Sequence, residues 1–177
     1  YNRVLIKLSG EALSSGGNSG YDSQSIKSIV SSLTDMVKKN IEVSLVVGAG
    51  NIWRGEIGKK LGMDSVRADY MGMLGTVMNA LCLKDSFESA GINCIVQSSL
   101  EMNPLVENFD HEKAIKRLKE GKIVIFAGGT GHPYFTTDTT AALRGLEIGA
   151  EALLKATKVN GIYSKDPLKY PDAEKYQ

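Results

Sequence analysis

The chain has 177 residues, of which 42% are hydrophobic and 23% are charged. Such a length and composition are typical of a globular domain with a substantial core, and they exclude a disordered or fibrous chain. The 21 Lys and Arg residues nearly balance the 20 Asp and Glu residues, so no overall charge favours nucleic acid or an anionic membrane.

Neither the cysteines nor the histidines indicate a disulfide or a metal site. Cys82 falls in a helical pattern and Cys94 in a strand pattern, so both are interpreted as buried thiols. His111 and His132 are too few and too far apart for a zinc site. No apolar run approaches the roughly 20 residues of a membrane span, and residues 1–9 predict a strand rather than a signal peptide. We therefore expect a soluble, cytoplasmic protein.

In chain order, short apolar runs alternate with helical patterns. Strands are predicted at Val4–Leu8, Val43–Val47, Cys94–Val96, Ile123–Phe126 and Ala152–Ala156. Helices are predicted after Asp22, over Ser65–Ala90, after Asp110 and over Ala141–Ile148, with the two Asp residues as N-caps. Strands that alternate with helices indicate right-handed βαβ units. The predicted fold class is therefore α/β, with a mainly parallel sheet covered by helices on both faces.

Ligands of such a sheet gather at the carboxyl ends of its strands. The loops expected there begin at Ser9, Gly48, Ser98, Ala127 and Thr157. The loop after the fourth strand has three glycines up to Gly131, followed by four threonines around Asp138 where a helix begins. Backbone amides and the helix dipole of such a turn attract phosphate. An ordinary strand-to-helix turn with a Thr or Asp cap is the alternative for any single loop, but several glycine-rich loops converge here.

Two common phosphate motifs are excluded. Gly50 and Gly55 have the spacing of a Walker A loop, but Glu56 stands where that motif requires Lys. A dinucleotide fingerprint would begin at Gly48 and finds Trp53 in place of its third glycine. Neither a P-loop NTPase nor a Rossmann dehydrogenase is therefore favoured.

Cations accompany the predicted phosphate turns. Lys7 ends the first strand and can reach β- and γ-phosphates, although a solvent-facing lysine is the alternative. Arg54 follows the Gly-Ala-Gly-Asn turn and can clamp a phosphoryl group with its planar fork. Lys155 lies between apolar residues of the last strand. Together with Asp138 these residues fit phosphoryl transfer, which depends on positioning and charge neutralisation.

Five motifs carry a family resemblance. They are Lys7-Leu-Ser-Gly-Glu-Ala, Val47-Gly-Ala-Gly-Asn-Ile-Trp-Arg-Gly, Ala68-Asp-Tyr-Met-Gly-Met, Gly129-Thr-Gly-His-Pro-Tyr-Phe-Thr-Thr-Asp and Leu154-Lys-Ala-Thr-Lys-Val-Asn-Gly-Ile-Tyr. In this order, and over nearly the whole chain, they resemble the bacterial uridylate kinases of the amino acid kinase family. The run that ends at Asp138 is the most specific of the five.

The resemblance implies a three-layer αβα fold, a homohexamer, and Mg²⁺-dependent transfer of the ATP γ-phosphate to UMP in pyrimidine nucleotide biosynthesis. The implied catalytic residues are Lys7, Arg54, Asp138 and Lys155. The implied ATP contacts are Lys7, Leu8, Ser9, Gly10, Gly50, Arg54, Thr157, Tyr163 and Asp166. The implied UMP contacts are Ala49, Asp69, Thr130, Gly131, His132, Pro133, Tyr134, Phe135, Thr136 and Thr137.

The resemblance also implies regulation and leaves the metal without a protein ligand. The segment Ser15, Gly16, Gly17, Asn18, Ser19 and Gly20 corresponds to a region that binds the activator GTP in some members, and UTP is a second expected effector. We expect this segment to lie away from the substrate turns. Mg²⁺ is expected with ATP, and no residue is assigned to it.

Asp69 suits a ribose, because a carboxylate accepts hydrogen bonds from two hydroxyls, although a solvent-facing helix position is the alternative. Met71, Met73 and Met78 suggest either a base-stacking group or, preferably, a buried helix face.

Three departures from the family pattern bear on function. Ala49 stands where a third glycine is common, and Asn160 stands where Asp is common. The family continues beyond Gln177 with a further strand and helix, so a single domain that lacks this stretch is expected. A non-catalytic nucleotide or oxyanion sensor on the same fold is the competing function, and a kinase for a carboxylate or carbamate is a third.

Overall fold

The computed structural model describes residues 1–15, 19–156, 164–165, 167 and 170–176. The strands are β1 Arg3–Leu8, β2 Glu42–Val47, β3 Cys94–Ser98, β4 Glu107–Asn108, β5 Ile123–Ala127 and β6 Ala152–Lys155. The helices are α1 Ser23–Lys38, α2 Gly55–Lys60, α3 Ser65–Ser89, α4 His111–Lys119 and α5 Thr137–Glu147, with a 3₁₀ turn at Gly10–Leu13. All five predicted strands and all four predicted helices are present.

The six strands of the described chain form one parallel sheet in the order β4-β3-β5-β2-β1-β6. Lys7 lies beside Val46 of β2 on one side and beside Lys155 of β6 on the other. Because neighbouring strands run in the same direction, the loops after β1, β2 and β5 leave the sheet at the same edge, where β6 also ends. This edge is where the predicted glycine turns and cations meet.

Alternation along the strands divides the core into two layers. Val4, Ile6 and Leu8 of β1 pack in a cluster with residues of α1 and α3. Leu5 packs on the opposite face with residues of α4 and α5. Because side chains alternate along a strand, Lys7 projects to the same face as Leu5, towards α5. The sheet between two helical layers confirms the three-layer α/β prediction.

Local capping confirms several predicted boundaries. Asp22 accepts a hydrogen bond from the Ser25 amide at 2.8 Å, and Asp110 accepts one from the Lys113 amide at 3.0 Å. Helix α5 begins at Thr137, within the predicted threonine run around Asp138 and ahead of the helical pattern at Ala141–Ile148, because the Thr136 hydroxyl caps the helix by accepting from the Thr139 amide. The short elements β4, α2 and the 3₁₀ turn were not predicted.

Two predictions of burial are partly wrong, both on helix α3. Met73 is buried, but Met71 and Met78 are 39% and 53% exposed, so these methionines do not form one buried face. Cys94 is buried, and its burial raises the pKa of its thiol to about 12, whereas Cys82 is only partly buried.

Among the described residues, no helix is both long enough and apolar enough to cross a membrane.

Candidate active site

The turns after β1 and β2 touch each other through their backbones. A Cβ added to Gly10 would lie 2.5 Å from the Gly48 carbonyl oxygen and 2.6 Å from the Gly50 nitrogen. The Gly48 amide donates to the Leu8 carbonyl oxygen at 2.9 Å. The Leu8 side chain is buried in the core, so only its backbone is available to a nucleotide. Only glycine therefore fits at position 10, because any side chain there would force the two amide-rich turns apart.

A carboxylate between two lysines lies next to these turns. Asp138, in the first turn of α5, pairs through its Oδ1 with the Lys7 ammonium and through its Oδ2 with the Lys155 ammonium, each at 2.8 Å. The Lys7 side chain is only 13% exposed, whereas those of Asp138 and Lys155 are about half exposed. Partial burial opposes ionisation of Asp138, but hydrogen bonds and charge from Lys155 and Lys7 outweigh it and lower its pKa. The structure thus brings three of the four predicted catalytic residues together at the sheet edge.

Arg54 reaches across the same region from the N-cap position of α2. Its Nη2 forms an ion pair with Glu11 Oε1 at 2.7 Å, and its Nε donates to the Gly50 carbonyl oxygen at 3.2 Å. The guanidinium is therefore held beside the turns after β1 and β2. An arginine in this place presents a planar set of donors to a phosphate at the sheet edge.

Two buried asparagines, which sequence reasoning missed, support the turn after β2. Asn79 of α3 donates to the Gly48 carbonyl oxygen at 2.7 Å, and it exchanges hydrogen bonds with Asn51 at 2.8 and 3.1 Å. Neither residue is more than 2% exposed. The available signal was a lone amide within an apolar helical pattern, because a buried amide requires partners.

Gly20, the end of the predicted effector segment, contacts the turn after β2, so the prediction that this segment lies away from the substrate turns was wrong for its described end. The Gly20 amide donates to the Asn51 carbonyl oxygen at 2.9 Å, and the Asn51 side chain returns a bond to the Gly20 carbonyl oxygen at 3.0 Å. Ser19 lines a cavity of about 310 Å³ together with Gly50 and Arg54. Ser15 is exposed, while Gly16, Gly17 and Asn18 lie outside the described residues.

The turn after β5 forms a second part of the site, next to α3. Asp69 Oδ2 accepts a hydrogen bond from the Tyr134 amide at 2.7 Å, so helix α3 holds the loop that leads into α5. A cavity of about 180 Å³ lies between these elements. Its lining includes five of the predicted contacts or their neighbours, namely Ala49, Asp69, Gly129, Phe135 and Thr137. The other predicted contacts lie in the same loop before α5, outside the lining of this cavity; they are Thr130, Gly131, His132, Pro133, Tyr134 and Thr136.

The two parts of the site adjoin each other. A Cβ added to Gly48 would lie 3.5 Å from the Thr137 hydroxyl, so the start of α5 reaches the turn after β2. Ala49 lines the cavity that contains Asp69, while its neighbours Gly48 and Gly50 face Gly10. One anionic group between these walls would meet the α5 N-terminus, glycine amides and the Lys7 ammonium.

Three further groups that hold the turn after β5 were not predicted. The Thr76 hydroxyl of α3 accepts from the Gly128 amide at 2.8 Å. Ser99 donates to the Gly129 carbonyl oxygen at 2.7 Å and accepts from Arg144 at 2.8 Å. These residues are distant from the turn in the sequence and belong to no motif, so no sequence pattern identified them.

The described residues fit a magnesium ion carried by a nucleotide better than a dedicated metal cage. Across residues 1–15, 19–156 and the described pieces beyond, no three His, Cys, Asp or Glu side chains are placed to hold a metal. Magnesium is usually bound by substrate phosphates, water and one or two carboxylates. Asp138 is half exposed between the two lysines and has lone pairs left for one such contact.

A larger groove, of about 710 Å³, lies between α1 and α3 and is lined by Tyr21, Val30 and Thr34 among others. It contains none of the glycine turns or the predicted cations. Size alone therefore does not locate the chemistry, and the sheet edge is the better candidate. Thr157, Asn160, Tyr163 and Asp166, which were predicted for the ATP side, lie outside the described residues.

Comparison with known proteins agrees with this geometry. Residues 2–177 match the sequence profile described as the amino acid kinase family. A solved structure of UMP kinase from Bacillus anthracis is 38% identical, with a TM-score of 0.94 over 99% of this chain and 73% of that one. UMP kinase from Ureaplasma parvum is 37% identical, with a TM-score of 0.91 over 99% of this chain and 74% of that one. The chain belongs to the amino acid kinase family.

Proposed function

We propose that the protein is a UMP kinase, which transfers the γ-phosphoryl group of ATP to UMP and releases ADP and UDP. The observation that carries the proposal is the Lys7–Asp138–Lys155 group at the start of α5, next to the cavity that contains Asp69. Two similar structures are named as UMP kinases, which supports the choice of acceptor. The reaction belongs to pyrimidine nucleotide synthesis, and we place it in the cytoplasm.

The reaction needs no general base from the protein. A phosphate monoester such as UMP is largely dianionic near pH 7, because its second pKa is about 6. One of its oxygens forms a bond to the γ-phosphorus while the bond from that phosphorus to the β–γ bridging oxygen breaks. The electron pair of the broken bond remains on ADP. The protein therefore has to align the two nucleotides and stabilise negative charge.

The residues at the sheet edge provide these two functions. Lys7 and the amides around Gly10 face the donor phosphates, and Arg54 neutralises charge on the transferred group. Asp138 keeps the ammonium groups of Lys7 and Lys155 in place before nucleotides bind. Bound Mg²⁺ would supply further charge neutralisation, with phosphate oxygens and Asp138 as its ligands. Asp69 and the 128–137 loop hold the acceptor.

Self-association and regulation are finer parts of the proposal. Met71, Leu74, Met78 and Leu81 form an exposed stripe along α3, with side chains 36% to 53% exposed. Such a stripe supports the homohexamer implied by the resemblance, because apolar surface of this kind is usually covered by a partner.

GTP and UTP are the proposed effectors, and Ser19 lies in a cavity shared with Gly50 and Arg54. Light scattering, and initial rates measured with each effector, test these two points.

Release of ADP from ATP-Mg in the presence of UMP, CMP or AMP tests the function. We expect UMP to be used far better than the other two, because buried hydrogen-bonding groups reject a base that leaves them unpaired. Equal kcat/KM for UMP and CMP would contradict the assigned specificity. Binding of both nucleotides without ADP release would instead identify a sensor.

A further inference from the structure

Arg144 is a buried arginine outside every motif that the function uses. It lies on α5 and is only 5% exposed, although arginine is rarely buried unless it is paired. Its Nη1 pairs with Glu147 at 2.5 Å, and its guanidinium stacks on the Phe109 ring at 3.5 Å from the centroid. Its Nη2 donates to the Ser99 hydroxyl at 2.8 Å. The side chain is therefore fixed from three directions.

Ser99 links Arg144 to the turn after β5 through hydrogen bonds to both. Its hydroxyl accepts from Arg144 and donates to the Gly129 carbonyl oxygen at 2.7 Å. The Ser99 amide donates to the Ala127 carbonyl oxygen at 3.1 Å, which anchors Ser99 itself to the end of β5. A hydroxyl that accepts from a charged donor becomes a better donor in turn. The charge on Arg144 thus strengthens the bond that holds Gly129.

The Gly129–Thr130 peptide belongs to a glycine-rich turn, whose backbone has little conformational restraint of its own. Gly128, Gly129 and Gly131 all have positive φ, between 60° and 84°. The Gly129 carbonyl and the Thr130 amide share one planar peptide group and point in opposite directions. A bond to that carbonyl therefore also fixes the direction of the Thr130 N–H. Gly129 lines the cavity that contains Asp69, so this peptide forms part of the acceptor side.

We propose that Arg144, acting through Ser99, is a positioning residue that orients the Gly129–Thr130 peptide for the acceptor nucleotide. Neither side chain needs to touch the nucleotide. Arg144 and Ser99 do not contact Lys7, Arg54 or Asp138 through any described hydrogen bond, so the donor side should not depend on them. The proposal rests on the proposed function only in naming UMP as that acceptor.

The decisive variant is Ser99→Ala, which removes the relay and leaves Arg144 packed on Phe109. We expect the KM for UMP to rise about three- to tenfold, with the KM for ATP changed less than about twofold. Ser86→Ala is the matched control, because Ser86 donates a similar 2.8 Å bond to the Cys82 carbonyl oxygen within α3. It should leave both KM values unchanged.

A double-mutant cycle tests whether Arg144 acts through Ser99. Arg144→Lys alone should raise the KM for UMP, because lysine has no planar fork, but it should add little in the Ser99→Ala background. Additive effects, or equal changes in both KM values, would overturn the proposal. If Arg144→Lys does not fold, Ser99→Ala alone still tests whether the Ser99 hydroxyl positions the acceptor turn, and equal changes in both KM values would still overturn the proposal.

Amide hydrogen exchange separates this inference from the proposed function. Exchange in the segment 128–134 of the nucleotide-free protein should be at least about threefold faster in Ser99→Ala than in the wild type or Ser86→Ala. Unchanged exchange would overturn the positioning role even in an active kinase. Faster exchange in a protein that does not phosphorylate UMP would support the positioning role and reject the proposed acceptor.

Discussion

Gly10 and Gly129, which lie in turns on the two sides of the site, are glycine for different physical reasons. Gly10, on the donor side, lacks positive φ, but a Cβ there would come within 2.6 Å of backbone atoms of the turn after β2. Gly129, on the acceptor side, has φ of 60°, and an added Cβ would make only an ordinary contact with Met73 at 3.6 Å. Packing therefore requires glycine at position 10, whereas backbone conformation favours it at position 129.

The means of support differ in the same way. Backbone contacts and the buried amide pair of Asn51 and Asn79 hold the donor turns. The acceptor turn depends on hydroxyl and charged side chains, namely Thr76, Ser99 and Asp69. We therefore expect substitutions on the donor side to affect catalysis and folding together, and substitutions on the acceptor side to affect mainly the binding of one nucleotide.

The largest effect should come from the donor side, with Lys7→Ala. If Lys7 neutralises charge on the breaking bond, its loss should lower kcat about 10²-fold or more, which is roughly 2.7 kcal/mol of transition-state stabilisation. The KM for UMP should change little. Lys84→Ala is the control, since Lys84 forms an ion pair with Glu88 on α3, away from the site. Near-normal kcat with only a raised KM for ATP would show that Lys7 acts in the ground state.

The two reasons for glycine can be compared directly. Gly10→Ala should destabilise the fold by about 1–3 kcal/mol and lower kcat, because the turns after β1 and β2 must separate. Gly129→Ala should cost only about 1 kcal/mol, for a left-handed backbone without a clash. Thermal unfolding and steady-state kinetics of both variants measure the difference.

Gly145→Ala serves as the control for this pair, because an added methyl group there meets no atom within 4 Å. Within helix α5 it should be neutral or stabilising by up to about 1 kcal/mol. If Gly129→Ala proves as damaging as Gly10→Ala, packing also restricts position 129, and the contrast between the two glycines is lost.

The same contrast explains how much of the molecule could be predicted from the sequence. Hydrophobic periodicity and capping residues such as Asp22 predicted the main strands and helices, because these signals are local. The two-residue strand β4 and the six-residue helix α2 are too short to show a period. Lys7, Arg54 and Asp138 lie close in sequence to glycine turns, so the charged part of the site was predictable.

The supports of the turns were not predictable, because they come from distant elements. Asn79 and Thr76 reach the turns only after α3 packs against the sheet, and Ser99 reaches Gly129 only after β3 pairs with β5. Their positions depend on tertiary structure, which single-sequence patterns do not encode. The wrong placement of the segment ending at Gly20 has the same origin, since its bonds to Asn51 join parts of the chain about 30 residues apart.

An intermediate effect is expected from Asp69→Asn on the acceptor side. Asn keeps an acceptor for the Tyr134 amide but loses the charge, and charged hydrogen bonds contribute about 1.5–3 kcal/mol against 0.5–1.5 for neutral ones. The KM for UMP should therefore rise roughly tenfold, with the KM for ATP unchanged. Asp85→Asn on the exposed face of the same helix is the control. Equal weakening of both nucleotides would mean that Asp69 has a structural role.

The smallest effect concerns the charge of Asp138 and the pH dependence of stability. The lysines lower the pKa of Asp138 in the folded protein below its unfolded value, which is about 3.9. Its contribution to stability is therefore fully present above that unfolded value and is lost as the pH falls through the folded pKa. Because Asp138 is half exposed, the contribution should not exceed about 1 kcal/mol.

Thermal unfolding of the wild type and Asp138→Asn between about pH 3 and pH 7 measures this contribution. The difference between the two proteins should be constant near neutral pH and should shrink below about pH 4, as the wild-type carboxylate becomes protonated. A difference that stays constant over the whole range would mean that hydrogen bonding, rather than charge, joins Asp138 to Lys7 and Lys155.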